Sequence, residues 1–205
     1  MTYAELKTTI ADWLNRSDLD SVIPTFISLA EAELERKLRM REMEAQTTLA
    51  VSASPVELPA DFLQFRVVVL DTGSRRVQLD VLSAEQFADF AAAHNPSGTP
   101  CVVAVIGNAL HLAPAPDAEY NLEMVYYRKL ARLSDQNPSN WLLESHPDAY
   151  LYGALQHSAP FLRDDDRLPV WAAKFANVVR ELGGADERAL FGNAKLRAAC
   201  GAVRW

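Results

Sequence analysis

The residues best suited to chemistry lie in one stretch, NWLLESHPDAYLYGALQHSAPFLRDDD, at positions 140–166. It contains Ser145, His146 and Asp148, the residue types of a hydrolase triad. Triad members come from distant segments that converge beside an oxyanion hole, whereas adjacent residues at a helix start point in different directions. The chain also has no Gly-x-Ser-x-Gly turn. Capping of a helix that begins at Pro147 is therefore the better interpretation.

Metal binding has equally little support in the sequence. Asp164, Asp165 and Asp166 are consecutive, but no glycine lies within the run and no calcium-loop spacing follows it. Aspartates at this point favour a helix start, because they face the positive end of the helix dipole. The histidines are scattered, and His157 has the position of a satisfied core or interface histidine. We predict no catalytic residue, no metal site and no cofactor.

Composition excludes further classes of function. The chain has 205 residues, of which 49% are apolar, and its net charge is −7. A general nucleic-acid binder would need a basic surface. No apolar run reaches the roughly 18 residues that span a bilayer, and the amino terminus lacks the pattern of a signal peptide. Cys101 and Cys200 are far apart, which suits a reducing cytoplasm. We expect no membrane association.

Helical patterns occupy both ends of the chain. Thr2-x-x-Glu5 is a capping box before the first helix. The second helix should run from about Ser21 to Glu42, with Pro24 in its first turn, and its dense charges suggest that it projects or packs against another chain. Further helices are expected over Leu142–Leu162, where Gly153 allows a neighbour to come close, and over Asp165–Leu182, before GGADERALFGN breaks the pattern.

The middle of the chain alternates with the period of a β-strand. RRVQLDV should place Val77, Leu79 and Val81 on one face, and EYNLEMVYYRKL should point Leu122, Met124 and Tyr126 inward. Gly107-Asn108 predicts a hairpin turn, and Ser83-x-x-Gln86 predicts a short capped helix. The predicted fold class is α+β, with an antiparallel helical bundle formed by both termini and a central β-rich insertion. The expected domains are 1–44 with 140–193 (bundle), 45–139 (insertion) and 194–205 (C-terminal tail).

The last seventeen residues, 189–205, contain basic side chains and no acid. Such asymmetry is typical of an interaction tail, although a frayed end is the plain alternative. Trp13, Trp141 and Trp171 have helical spacing and are expected in the core, whereas Trp205 has no core to join and could anchor in a partner's pocket. The candidate partner-binding residues are Lys195, Leu196, Arg197, Val203, Arg204 and Trp205.

Four segments together resemble the phage head-to-tail adaptor proteins, and the resemblance covers nearly the whole chain. The segments are MTYAELKTTIADWLNRSDLDSVIPTFISLAEAELERKL, LPADFLQFRVVVLD, IGNALHLAPAPD and YYRKLARLSDQNPSNWLLESHPDAYLYGALQHSAPFLRDDDR. The resemblance implies a structural protein of the virion, assembled in the host cytoplasm. It implies a ring, typically dodecameric, that joins the portal protein to a tail or nozzle protein and leaves a channel for DNA. It also implies that the C-terminal segment docks into the portal.

Two other classes of function stay open at this point. A monomeric binding module would not form rings, and an enzyme of unrecognised type should have a deep polar pocket with shifted pKa values. For a ring, a subunit charge of −7 predicts an acidic or neutral channel that DNA passes without specific binding. The acids of helix 21–42 and of the strand region are the candidates to line it.

Overall fold

The computed structural model describes residues 1–162 and 167–191. The chain divides into two compact units. Unit 1 consists of Met1–Arg41 and the described residues from Leu130 onward, and unit 2 consists of Glu42–Lys129.

Helices occur in both units, and two of them begin with a capping box. Thr2 accepts from the N–H of Glu5, and Ser83 from that of Gln86, with the reciprocal bond present in each case. Both capping predictions are thus confirmed. The helices are α1 (Tyr3–Leu14), α2 (Ile23–Lys37), α3 (Ala84–Ala93), α4 (Trp141–Ser145), α5 (Pro147–Leu162) and α6 (Leu168–Phe191), and a 3₁₀ turn covers Arg41–Met43.

The strands of unit 2 form three sheets. They are β1 (Glu44–Val51), β2 (Val56–Glu57), β3 (Phe62–Asp71), β4 (Arg76–Gln78), β5 (Asp80–Val81), β6 (Ser97–Gly98), β7 (Val102–Ile106), β8 (Ala109–Ala113), β9 (Ala115–Pro116) and β10 (Tyr120–Arg128). Sheet A has the order β1-β10-β3-β4 with every pair antiparallel. Sheet B has the order β2-β8-β7-β5, and sheet C pairs β6 with β9.

Sheets A and B share a hydrophobic core. Leu122, Met124 and Tyr126 of β10 are buried in it, as their alternation predicts. Sheet B contributes Val103, Leu110 and Leu112 to the same cluster. Its opposite face packs on α3 through a smaller cluster around Phe87. The hairpin predicted between β7 and β8 is present, and Gly107 has the positive φ of 65° that its turn requires.

Helix α5 contacts α1, α2 and α6 within unit 1. The neighbouring helices come close at Gly153, as its small size predicts. A Cβ placed on Gly153 would lie 2.9 Å from the Cβ of Ala30 on α2 and 3.0 Å from a ring carbon of Phe175 on α6. A side chain at this position would therefore collide with both neighbouring helices.

The prediction of an antiparallel helical bundle formed by both termini, with the strands as an insertion, is wrong. The α+β class fits, but the structure is a mixed fold with a β-rich core built from three sheets. The six α-helices found in the described residues are scattered along the chain, and α3 lies among the strands. The prediction failed because it assumed that the helices could pack only on one another, whereas α3 packs on sheet B. The alternating residues of the strand region form a core of their own.

Two helix ends also differ from expectation. Helix α2 ends at Lys37, and Leu38 and Met40 are both buried in the segment that follows it. Residues two apart in a helix point in nearly opposite directions, so an extended chain serves this burial better. Helix α6 continues through Gly183 and Gly184 to Phe191. Each glycine costs about 1 kcal/mol in a helix, which the surrounding helix formers offset.

Candidate partner-binding surfaces

The predicted tail site lies outside the described residues. This concerns Lys195, Leu196, Arg197, Val203, Arg204 and Trp205, and also the three aspartates at positions 164–166.

The Ser-His-Asp stretch forms a junction between two helices. Ser145 is the last residue of α4, and the N–H of His146 donates to the carbonyl of Leu142 at 2.7 Å. The carboxylate of Asp148 accepts from the N–H of Ala149 at 3.1 Å in the first turn of α5. These bonds cap helices, as predicted, and among the described residues no hydrogen bond joins the three side chains.

A buried polar cluster supports the same junction. The amide nitrogen of Asn140 donates to the hydroxyl of Tyr150 at 2.7 Å and to the carbonyl of Ala131 at 2.8 Å. Its amide oxygen accepts from the N–H of Leu143 at 2.9 Å, which caps α4. Burial raises the pKa of the Tyr150 hydroxyl, so this group stays protonated at neutral pH. The cluster orders the chain before α5 and is unsuited to proton transfer.

The acids of α2 were expected to project from the molecule, but two of them, Glu31 and Glu33, are engaged within unit 1. Glu31 is buried, and its Oε1 accepts from the N–H of Leu133 at 2.7 Å. Glu33 accepts from Lys37 at 2.6 Å through one oxygen. Its other oxygen accepts from Gln156 at 2.7 Å and lies 3.0 Å from Nε2 of His157. His157 is thus a satisfied histidine between α2 and α5, as predicted, and both acids hold unit 1 together.

The polar groove along α1 does not resemble an active site. A groove of about 680 Å³ runs along α1 and is lined by polar residues. Its cations are already paired, since Lys7 lies 3.1 Å from Asp135 and Arg16 lies 2.6 Å from Asp18. Across residues 1–162 and 167–191, no three His, Cys, Asp or Glu side chains come together in a way that could hold a metal ion.

An aromatic and cationic surface on unit 1 was missed by the sequence analysis. Trp13 was expected in the core, but it is 45% exposed. Its ring and the ring of Tyr152 are in a T-shaped arrangement, with their centroids 6.0 Å apart. Trp171 is buried, as expected, beneath the guanidinium of Arg167 at 4.8 Å. The neighbouring Val170 is 54% exposed. Arg167 also donates to the backbone carbonyl of Trp13 at 3.4 Å. An exposed Trp beside an Arg is the composition of interface hot spots, so this surface suits protein binding.

The outer edge of sheet A is a second surface that sequence reasoning did not find. β1 pairs with β10 along all eight residues in an unbroken register, from Glu44 opposite Tyr127 to Val51 opposite Tyr120. Its other side has no hydrogen-bonded strand among the described residues. A strand edge of this length presents a row of free backbone N–H and C=O groups. Only the sheet order identifies β1 as an edge strand.

A comparison with known protein families gives a match over nearly the whole chain. Among the described helices, none combines the length and apolar character that crossing a membrane would need. No curated protein matches the chain. The family model described as SU10 adaptor protein matches residues 1–198. The chain therefore belongs to the SU10 adaptor protein family and is a structural adaptor protein of a phage virion.

Proposed function

We propose that the protein forms a ring at the head-to-tail junction of the virion, between the portal protein and a tail or nozzle protein. The ring is dodecameric and surrounds a channel through which DNA passes. The observation that carries this proposal is the family match over residues 1–198. Two protein-binding surfaces support it, the exposed Trp13 region of unit 1 and the open β1 edge of unit 2.

The channel wall is proposed to be acidic or neutral. Each subunit has a net charge of −7, so a ring of twelve concentrates negative charge around the passage and repels DNA phosphates. Glu31 and Glu33 are engaged inside unit 1 and are poor candidates for the wall. The exposed acids of unit 2, such as Glu42 and Glu57, are better ones. Tight, salt-sensitive binding of duplex DNA by the isolated protein would contradict this part of the proposal.

Assembly with the portal is the decisive experiment. The purified protein is measured by mass photometry alone and after addition of purified portal rings, and the mixture is imaged in negative stain. We expect portal rings to gain a second layer of about twelve copies of the chain. Binding of a single copy without a ring would favour a monomeric binding module. No binding to the portal would refute the proposed position in the virion.

A further inference from the structure

The β1 edge lacks the features that normally protect an exposed strand. Folded proteins shield such edges with Pro, Lys, bulges or very short strands. β1 has eight residues, EAQTTLAV, with no Pro, Lys or Arg, and its register with β10 contains no bulge. The edge strands of sheet B, β2 and β5, have two residues each and are protected by their shortness. The β1 edge therefore needs a partner strand of comparable length.

A second copy of β1 has the length that this edge requires. The other edge strand of sheet A, β4, has three residues and would leave most of β1 open. When two identical strands pair about a two-fold axis, one residue lies opposite its own copy and the residues on either side face each other in pairs. With Thr47 at the axis, all of residues 44–50 pair with the same segment of the second copy.

The side chains that would face each other are compatible on both faces of the sheet. Ala45 and Leu49 are half-buried and pack against the core of unit 2. In this register each lies opposite the other in the second copy, so the apolar row continues across the contact. Gln46 and Thr48 are exposed, and these two polar residues also face each other. An axis at Thr48 would instead place Leu49 opposite Thr47 and separate the apolar residues.

The charge of β1 does not oppose this pairing. Glu44 is the charged residue of the strand, and its carboxylate forms an ion pair with Arg66 of β3 at 3.0 Å. In the register centred on Thr47, Glu44 lies opposite Ala50. The two copies of Glu44 are then six residues apart along the strands, about 20 Å. Salt screens most of the repulsion between exposed charges over this distance.

We propose that, in the protein that has not yet joined a ring, β1 pairs with β1 of a second copy, antiparallel and about a two-fold axis at Thr47. The occupant of the open edge is thus a second copy of this chain, and the two A sheets join into one continuous sheet. A contact of one strand pair is smaller than the roughly 1,200–2,000 Å² of specific stable interfaces. The dimer is therefore reversible.

This dimer and a ring cannot use the same contact. The two-fold pairing of β1 joins identical surfaces and is complete with two copies, whereas a ring needs contacts between different surfaces that repeat around its axis. The pairs therefore separate before copies enter a ring. Pairing protects the β1 edge of the free protein and competes with assembly. The inference goes beyond the proposed function, and its tests do not involve the portal.

Sedimentation velocity over a series of protein concentrations tests the dimer. The natural chain should change reversibly from monomer to dimer as its concentration rises. Thr48→Lys places a cation opposite Glu123 of its own sheet, so the variant should keep its melting temperature. In the dimer, two such lysines would face each other diagonally at about 7–8 Å and repel. We expect this variant to stay monomeric over the same concentrations.

The matched control for the added charge is Gln78→Lys. Gln78 is exposed on β4, at the other edge of sheet A, and it lies in the same row of the sheet as Thr48. It gains the same charge but takes no part in the proposed contact. We expect Gln78→Lys to form dimers at the same concentrations as the natural chain.

A single cysteine at the axis tests the register. Thr47→Cys is made in a chain in which Cys101 and Cys200 are replaced by serine. The Cα atoms of directly opposite residues are about 4.5–5.5 Å apart in an antiparallel pair, a distance that a disulfide spans. We expect mild oxidation to give a disulfide-linked dimer on a non-reducing gel. Gln78→Cys in the same background is the control and should stay monomeric.

Two outcomes would overturn the inference. If Thr47→Cys gives no more linked dimer than Gln78→Cys, β1 does not receive a second copy in this register. If Thr48→Lys is folded and forms dimers as readily as Gln78→Lys, copies of the chain join through another surface. The proposed function would stand in both cases, because it depends on assembly with the portal. A β1 dimer that never binds the portal would support the inference and refute the proposed position in the virion.

Discussion

The carboxylate of Glu31 accepts a hydrogen bond of 2.7 Å from the N–H of Leu133, 102 residues further along the chain. The bond is buried, and it ties α2 to the segment that leads into α4. Glu31→Ala would leave this N–H without a partner in a dry environment. We expect a loss of about 1–3 kcal/mol in the free energy of unfolding, measured by urea titration. Glu31→Gln keeps an acceptor at the same place and should lose less.

The same residue predicts a dependence on pH. Burial raises the pKa of the Glu31 carboxyl above its ordinary value of 4.5, although the Leu133 N–H opposes the shift. The folded state therefore binds more protons than the unfolded state between the ordinary and the raised pKa, and this group's contribution to stability falls as pH rises through that window. Glu31→Gln lacks this loss, so its stability relative to the natural chain should increase with pH. A difference that does not change with pH would contradict the assignment.

Glu33, two residues away on α2, should contribute to stability with the opposite dependence on pH. Burial alone would raise its pKa, but Lys37 and His157 together hold the pKa of this carboxyl below its ordinary value of 4.5. Its contribution to stability is complete above 4.5 and disappears as pH falls through the lowered pKa. Glu33→Gln should therefore cost about 1–2 kcal/mol at neutral pH, and the cost should vanish in acid. Urea titrations of both Gln variants over the same pH series compare the two signs directly.

Two glycine-to-alanine substitutions distinguish the effect of packing on stability from the effect of helix propensity. Gly153→Ala should improve the intrinsic propensity of α5 by about 1 kcal/mol, but its Cβ would lie 2.9 Å from the Cβ of Ala30. We expect a net loss of about 1–3 kcal/mol from overpacking. Gly183→Ala on α6 is the matched control, because nothing lies within 4 Å of its added Cβ. It should stabilise the protein by about 0.5–1 kcal/mol. Melting temperatures that rise in both variants would show that α2 and α6 yield at this point.

The sequence predicted those features that are decided within a few residues. The capping boxes at Thr2 and Ser83 depend on spacing alone, and the inward alternation of Leu122, Met124 and Tyr126 depends on strand period alone. Gly153 could be recognised as a close-approach site because few residue types permit one.

Features that depend on residues distant in the sequence could not be predicted from the sequence. RRVQLDV alternates cleanly, yet the strand breaks at Leu79, whose N–H donates to the carbonyl of Val68 at 2.9 Å. β4 pairs in sheet A and β5 in sheet B, and Val81 is 52% exposed. Periodicity gives the face of a residue but not the sheet that it joins. The exposure of Trp13 and the open edge of β1 escaped for the same reason.

Helix α5 should tolerate no charge at its centre. Leu155 is fully buried, and Leu155→Asp would place an unpaired carboxylate among apolar side chains, at a cost of several kcal/mol. We expect the variant to be unfolded at room temperature by circular dichroism. Leu29→Asp on α2 makes the same chemical change at a residue that is 46% exposed, and it should keep the fold. If the Leu155→Asp variant melts at the temperature of the natural chain, α5 is not central to unit 1.

The proposed docking tail can be removed without touching the described helices. α6 ends at Phe191, so a chain that ends at Asn193 keeps it and loses Lys195, Arg197, Arg204 and Trp205. Basic side chains steer a segment towards an acidic groove, and a buried Trp adds apolar area. We expect the shortened chain to keep its melting temperature but to bind portal rings more weakly by at least about 3 kcal/mol, the order of one or two interface hot spots.

Trp205→Ala in the full-length chain separates the two contributions to that loss. It keeps all the basic residues of 189–205, so a tail that acts through charge alone would bind the portal with unchanged affinity and unchanged salt dependence. A tail anchored by its tryptophan would lose most of the binding energy while the salt dependence stayed the same. Co-sedimentation with portal rings at two salt concentrations distinguishes these cases. Full binding by the chain that ends at Asn193 would move portal docking to another surface, for which the exposed Trp13 of α1 is the first candidate.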